Sequence, residues 1–252
     1  MNKYKRIIIK VGTKVLSRED GSIDAEFLEH LVDQLVELRK QGIQLVLVTS
    51  GAVGTGKSLI SLDTIQSETV RKQVFAAVGQ VKLMNTYSDL FKKYGYYCAQ
   101  VLATKEDFRD EDHYQNMQNC FEGLLLDNVI PIVNENDVVA TSELLFTDND
   151  ELAGLVTTQL KADALIILTS TEGILDDKGN TISIVDSSNI ENTLSYINPD
   201  TSTGGRGGMT SKFSVAKELS KNGIVVYLVN GKNKNVILDL IEGKETGTKF
   251  LN

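Results

Sequence analysis

Arg6-Ile7-Ile8-Ile9-Lys10-Val11-Gly12-Thr13 sets three successive isoleucines before a lysine and a glycine turn. A strand with one wet face would alternate apolar and polar residues. This run does not, so it suits a strand covered on both faces, as in a parallel sheet. Working outward, Phe27, Leu28, Leu31, Leu35 and Leu38 recur at helical spacing between Asp24 and Gln41, and Gly42 supplies a stop. Gln44-Leu45-Val46-Leu47-Val48 is a second buried strand, followed by the small-residue run from Thr49 to Ser58, which reads as loop.

The alternation continues along the chain. Helical patterns cover Glu68 to Tyr94, Tyr114 to Asp127, Asp150 to Leu160 and Met209 to Lys221. Between them lie strand patterns near Ala99 to Ala103, Val129 to Val133, Ala164 to Leu168 and Ile224 to Val229. Such repetition predicts an α/β fold, an open and mostly parallel sheet with helices on both faces. Ligands bind such sheets at the carboxyl ends of the strands, so the loops that follow strands are where chemistry is expected. The chain has no internal repeat and no low-complexity segment, and residues 1–252 read as a single domain.

Composition narrows the function. The chain of 252 residues is 41% hydrophobic and 24% charged, with two prolines, which describes a folded globular protein. A net charge of −8 argues against a broad basic face for nucleic acid. Cys98 and Cys120 fall in a strand and a helix pattern without CxxC spacing, so they read as reduced structural thiols of a cytoplasmic protein. His30 and His113 are the only histidines, sit in polar helical stretches and leave no basis for a clustered zinc site. No protein metal site is expected. No apolar run approaches the roughly 20 residues needed to span a bilayer.

One motif misleads. Gly51-Ala52-Val53-Gly54-Thr55-Gly56-Lys57-Ser58 satisfies the phosphate-binding pattern GxxxxGK[ST] and follows a strand. That motif needs a helix beginning at the Lys-Ser pair, yet Leu59 to Thr64 is too short and polar for one. It also needs a later strand ending in Asp, whereas the strongest one ends in Leu168-Thr169-Ser170. A GTPase-like Thr104-Lys105-Glu106-Asp107 follows another strand, without a partner Asp-x-x-Gly between the two. Lys57 is accordingly read as a solvated lysine.

Five other elements carry the chemistry. Lys10-Val11-Gly12-Thr13 puts a lysine at the carboxyl edge of the first strand, a position where a lone lysine is ordinarily a surface residue. Val48-Thr49-Ser50-Gly51-Ala52 sets small residues after the next strand, either as a tight turn or as amides open to an anion. Ile132-Val133-Asn134-Glu135-Asn136-Asp137 delivers four polar side chains to a strand end. Thr147-Asp148-Asn149-Asp150-Glu151 has the spacing of a capping box, which is compatible with a substrate site. Gly204-Gly205-Arg206-Gly207-Gly208-Met209-Thr210-Ser211-Lys212 runs from a glycine-rich loop into a helix whose first amides could hold phosphate.

Together with Ala76-Ala77-Val78-Gly79-Gln80, these elements resemble the amino acid kinase family along essentially the whole chain, and most closely its members that phosphorylate glutamate. The resemblance implies a three-layer α/β/α sandwich with the amino acid on the N-terminal half and nucleotide on the C-terminal half. It implies ATP and Mg2+ as cofactors, γ-phosphoryl transfer to the side-chain carboxylate of glutamate, the first step of proline biosynthesis, and proline as feedback inhibitor. Lys10 and Lys212 would flank the transferred group, with Asp150 orienting both ammonium groups. Ser50, Asp137 and Asn149 would contact glutamate, with Asn134 and Asp148 close by. Gly12 and Gly51, with Lys10, Thr169, Ser170 and the run Arg206, Gly207, Gly208, Met209, Thr210, Ser211 and Lys212, would bind ATP and its phosphates. A homo-oligomer is expected.

Two positions depart from the family pattern: Ser170 stands where an aspartate is common, and Arg206 where threonine is more frequent. Many relatives also carry a C-terminal RNA-binding domain of the PUA type, whereas here a kinase domain alone is expected, binding no RNA. The alternatives are family members acting on acetylglutamate, carbamate or a nucleoside monophosphate, and a non-catalytic amino acid sensor. The polar clusters at Asn134 to Asp137 and Asp148 to Asp150 favour free glutamate. A sensor would need neither lysine.

Overall fold

The computed structural model describes residues 4–65, 67–139, 146–197 and 208–252. Its strands are β1 (Arg6–Val11), β2 (Gln44–Val48), β3 (Cys98–Ala103), β4 (Ile130–Glu135), β5 (Ala164–Thr169), β6 (Ile184–Val185), β7 (Val225–Asn230) and β8 (Thr248–Phe250). They form one sheet in the order β3-β4-β2-β1-β5-β7-β8-β6. Pairing is parallel except between β7 and β8. β1 is central, with Ile8 opposite Val46 of β2 on one side and Leu165 of β5 on the other.

The helices are α1 (Thr13–Leu16), α2 (Ala25–Lys40), α3 (Ala52–Leu59), α4 (Glu68–Lys92), α5 (Glu111–Leu126), α6 (Asn149–Gln159), α7 (Ile190–Ser195), α8 (Met209–Lys221) and α9 (Val236–Ile241). The period-2 alternation of β1 divides the interior. Ile7, Ile9 and Val11 enter one core with Leu28 and Leu31 of α2, Leu83 of α4 and Ile237 of α9. Ile8 enters the other with Phe121 of α5, Leu152 of α6 and Phe213 of α8. Burying each isoleucine stabilises by about 1.5–3 kcal/mol. Covering both faces gives the expected three layers, and it places Lys10, two residues after Ile8, on the side of α6 and α8. No helix among the described residues is long and apolar enough to cross a membrane.

The segment after β2 corrects the sequence reading. Thr49 to Ser58 is not all loop: α3 starts at Ala52, and Lys57 and Ser58 lie near its end. Gly51 caps it with φ of +93°, and a Cβ there would sit 2.8 Å from Leu16 Cδ2, so the turn requires glycine. Helix α3 then packs backbone to backbone on α4, since a Cβ at Gly56 would collide with the Phe75 carbonyl and one at Gly79 with that of Ala52. The Gly-Lys-Ser triplet is thus helix-to-helix packing, not a phosphate loop, and Lys57 is exposed, with Nζ 6.0 Å from the Phe75 ring centroid.

Candidate active site

The alternation of β1 aims Lys10 at the start of α6, and Gly154, one turn into that helix, brings α8 against it. A Cβ at Gly154 would lie 2.9 Å from Val215 Cγ1, so a larger residue would push α8 away. Lys212, one turn before Val215, thereby reaches the same point as Lys10. The result is an ion-paired triad: Lys10 Nζ lies 2.7 Å from Asp150 Oδ1 and Lys212 Nζ 2.9 Å from Oδ2. Asp150 is fully buried, and the lysines are 4% and 8% exposed. Burial works against ionising Asp150, but the ammonium groups of Lys10 and Lys212 outweigh it and hold its carboxyl below the ordinary value.

Helix α6 begins with Asp148 as its cap, Oδ1 accepting from the backbone N–H of Asp150 at 2.8 Å and of Glu151 at 3.1 Å. The capping box is incomplete, because Glu151 accepts from Thr147 N, at 2.7 Å, rather than from the capping residue. Asp148 Oδ2 is buried without a hydrogen-bond partner among the described residues. Asn149 faces the strand ends, its Nδ2 donating to Thr49 O at 2.6 Å, Ser50 Oγ at 3.0 Å and Asn134 Oδ1 at 2.9 Å. A carbonyl can only accept, so Thr49 fixes which way the amide points and turns Asn149 Oδ1 away from Thr49 as an acceptor. The amide chain continues from Asn134 to Gln80 at 3.0 Å and from Gln80 to Gln100 at 3.0 Å. Gln80, in the Ala76-to-Gln80 motif, has no role in the sequence reading; its signal was a polar residue ending a run of small ones.

Asp137 is half-buried and lines a cavity of about 190 Å³ together with Ala52, Ala77, Gln80, Glu135 and Val138. Ser50, Asn134, Asn149 and the triad are therefore clustered, and Asp137 borders a cavity that shares Gln80 with that cluster. On the other side of β1, Thr169 and Ser170 stand at the carboxyl end of β5. Gly12 N donates to Leu168 O there at 3.4 Å, and Gly231 N to Thr169 O at 2.9 Å. Thr169 is buried and Ser170 exposed. Helix α8 starts from Gly208 without a side-chain cap and without an acidic residue in its first turn, as α3 does from Gly51. Met209, Thr210 and Ser211 make up that first turn. Arg206 and Gly207 lie outside the described residues.

The GTPase-like motif has structural employment. Asp107 Oδ2 accepts from Thr104 N at 2.7 Å and from its hydroxyl at 2.9 Å, which closes the turn on itself. Among the described residues, no group of three or more His, Cys, Asp or Glu could hold a metal ion. Cys98 is half-buried, its thiol pushed up to about 11 by burial, and Cys120 is exposed; both are free.

The chain is 44% identical over 250 residues to the glutamate 5-kinase of Chlorobaculum tepidum, covering 98% of this chain and 69% of that protein. It is 38% identical over 255 residues to the glutamate 5-kinase of Alkaliphilus metalliredigens, covering 99% and 97%. Among solved structures it resembles a carbamate kinase from Giardia, with TM-score 0.71 and 16% identity over 99% of both chains. It also resembles the UMP kinase of Bacillus anthracis, with TM-score 0.64 and 13% identity over 98% and 96%. The family model described as "Amino acid kinase family" matches residues 5–230. With that match over most of its length and those two relatives, the chain belongs to the amino acid kinase family.

Proposed function

We propose that this protein transfers the γ-phosphoryl group of ATP to the side-chain carboxylate of glutamate, forming γ-glutamyl phosphate for proline biosynthesis. The observation that carries this reading is the buried Lys10–Asp150–Lys212 triad at the junction of the two halves of the sheet. Phosphoryl transfer asks for positioning and charge stabilisation more than for a covalent nucleophile. Lys10 and Lys212 supply that charge, and Asp150 holds the two ammonium groups together against their mutual repulsion. The acceptor carboxylate is already ionised at neutral pH, so no general base is required.

On the acceptor side, Asn149 Oδ1, Asp137 and the unpartnered Asp148 Oδ2 suit the ammonium group of an amino acid, while Ser50 adds a hydroxyl and Asn134 fixes Asn149. On the nucleotide side, Thr169, Ser170 and the uncapped start of α8 border the phosphates, with the Gly12 and Gly51 turns facing them. Magnesium in nucleotide enzymes is carried largely by phosphate oxygens and water, so no cage of protein carboxylates is called for on this reading. Bound on the ATP phosphates, it would add positive charge at the phosphoryl oxygens. Proline, a cyclised relative of the acceptor, would compete at the same polar loops.

The test is direct. ATP, magnesium and glutamate should give a hydroxamate when hydroxylamine traps the acyl phosphate, and proline inhibition should be relieved by excess glutamate. Reaction with acetylglutamate or carbamate but not with glutamate would overturn the acceptor assignment while leaving the family intact.

A further inference from the structure

The first turn of α6 carries Asp148, Asn149 and Asp150, and Asp150 must meet two ammonium groups within a few tenths of an ångström. Asn149 anchors the inner side of this turn to β2 and β4. Its outer side is held by a different element, the turn that follows β3. Lys105 Nζ lies 2.9 Å from Glu151 Oε1, with side chains 19% and 32% exposed. The other oxygen of Glu151 takes the Thr147 N–H, so one carboxylate ties Lys105 to both flanks of Asp148. Phe108, three residues after Lys105, packs edge-on against the buried Phe146 with ring centroids 6.0 Å apart. Phe146 is fixed from below as well, its N–H donating to Glu135 Oε1 at 2.9 Å. The bracing turn is itself rigid, because Asp107 closes it through Thr104 and Glu106–Phe108 forms a 3-10 turn.

We infer that Lys105 and Glu151 are a positioning pair for phosphoryl transfer, holding the first turn of α6 so that Asp150 keeps Lys10 and Lys212 aligned. The pair touches no reacting atom in this reading and acts through Asp150. Burial works against ionising Glu151, but the Thr147 N–H and the Lys105 ammonium outweigh it and hold its carboxyl below the ordinary value, so Glu151 is a carboxylate at neutral pH. A displacement of about 1 Å in a catalytic group can cost on the order of 10²-fold, so a partial loosening of this turn is expected to cost roughly tenfold.

This inference rests on the kinase reading above, and two arms keep the two separable. In the kinetic arm, Lys105→Met and Glu151→Gln should each lower kcat roughly tenfold, with the ATP KM changed by less than about twofold. The double variant should fall no further than the worse single one, because each change breaks the same link. Lys105→Arg, which keeps the ion pair, should restore most of the rate. In the second arm, 13C NMR of the Asp150 carboxyl in Lys105→Met should show its titration moved up toward the ordinary carboxylate range. That measurement needs no substrate, so it decides the inference even if wild-type protein proves silent on glutamate, an outcome that would sink the acceptor assignment. Unchanged kcat and an unmoved Asp150 titration, even alongside a lower melting temperature, would reduce the pair to a stabilising contact and overturn the proposal.

Discussion

Two kinds of helix start coexist in this protein. Helices α2, α4 and α5 begin at Asp24, Ser67 and Asp110, each of which accepts from a backbone N–H in the first turn, and each has an acidic residue in that turn. Helices α1, α3 and α8 begin at Gly12, Gly51 and Gly208, with no side-chain cap and no acid. The first kind spends its orphan amides and its dipole on the protein's own stability. The second leaves both without a side-chain partner, and its three members are the helix starts to which a phosphate-binding role is proposed. Helix α6 stands between the classes: it is capped by Asp148, yet the acids of its first turn, Asp150 and Glu151, are met by lysines from β1, α8 and the turn after β3.

The hardest way to break this division is through its centre. On the proposed mechanism, Lys10→Met or Lys212→Met removes charge that matters most in the transition state, and kcat should drop on the order of 10²-fold or more, equivalent to roughly 3 kcal/mol. Glutamate binding should change less, as steady-state kinetics on variants shown folded by circular dichroism would reveal. Asp150→Asn should be at least as damaging, and leaving two buried ammonium groups without their carboxylate should also destabilise by about 3 kcal/mol. The pH dependence has a definite sign. Because the folded carboxyl titrates below its ordinary value of 3.8, its contribution is complete above that pH and is lost as pH falls through the lowered value. Denaturant melts of wild type and Asp150→Asn should therefore differ most near neutrality and converge in strong acid.

A finer test converts one kind of start into the other. Gly208 has φ of −74°, so another residue fits there without backbone strain. Gly208→Asp should cap α8 and stabilise it by a few tenths of a kcal/mol, yet raise the ATP KM about tenfold by placing a carboxylate where phosphate is proposed to bind. Stability and nucleotide affinity moving in opposite directions is the signature; an unchanged ATP KM would remove α8 from the nucleotide site. The reciprocal change, Asp110→Ala, should lower stability by about 1 kcal/mol and the melting temperature by about 2–4 °C, with kcat and both KM values intact.

The smallest expected effect is the most discriminating. Lys57→Met should leave activity near normal, since Lys57 is exposed near the end of α3. An inactive Lys57→Met beside active Lys10→Met and Lys212→Met would revive the phosphate-loop reading that the packing of Gly56 on Phe75 argues against.

The sequence by itself determined the layered sheet. β1, β2 and α8 run over the residues their patterns predict, and α2, α4, α5 and α6 lie within a few residues of theirs, because long periodic segments encode their own burial. Helix α3 escaped, since Ala-Val-Gly-Thr-Gly-Lys-Ser has too few large apolar residues for a period, and its helix exists by close contact with α4. The short α7 and α9 and the three-residue β8, antiparallel to β7, escaped too, being too brief to carry a pattern. At the site, residue types and strand-end position nominated Lys10, Ser50, Asn134 and the Asp148-to-Asp150 turn, and resemblance supplied their roles. What only the tertiary structure decided is which groups touch: Asp150 between two lysines 140 and 62 positions away, Gln80 steering the Asn134 amide, and Lys105 reaching Glu151. Periodicity reports which face of an element is buried, but hydrogen bonds and ion pairs form between elements, and their partners are set by how sheet and helices pack.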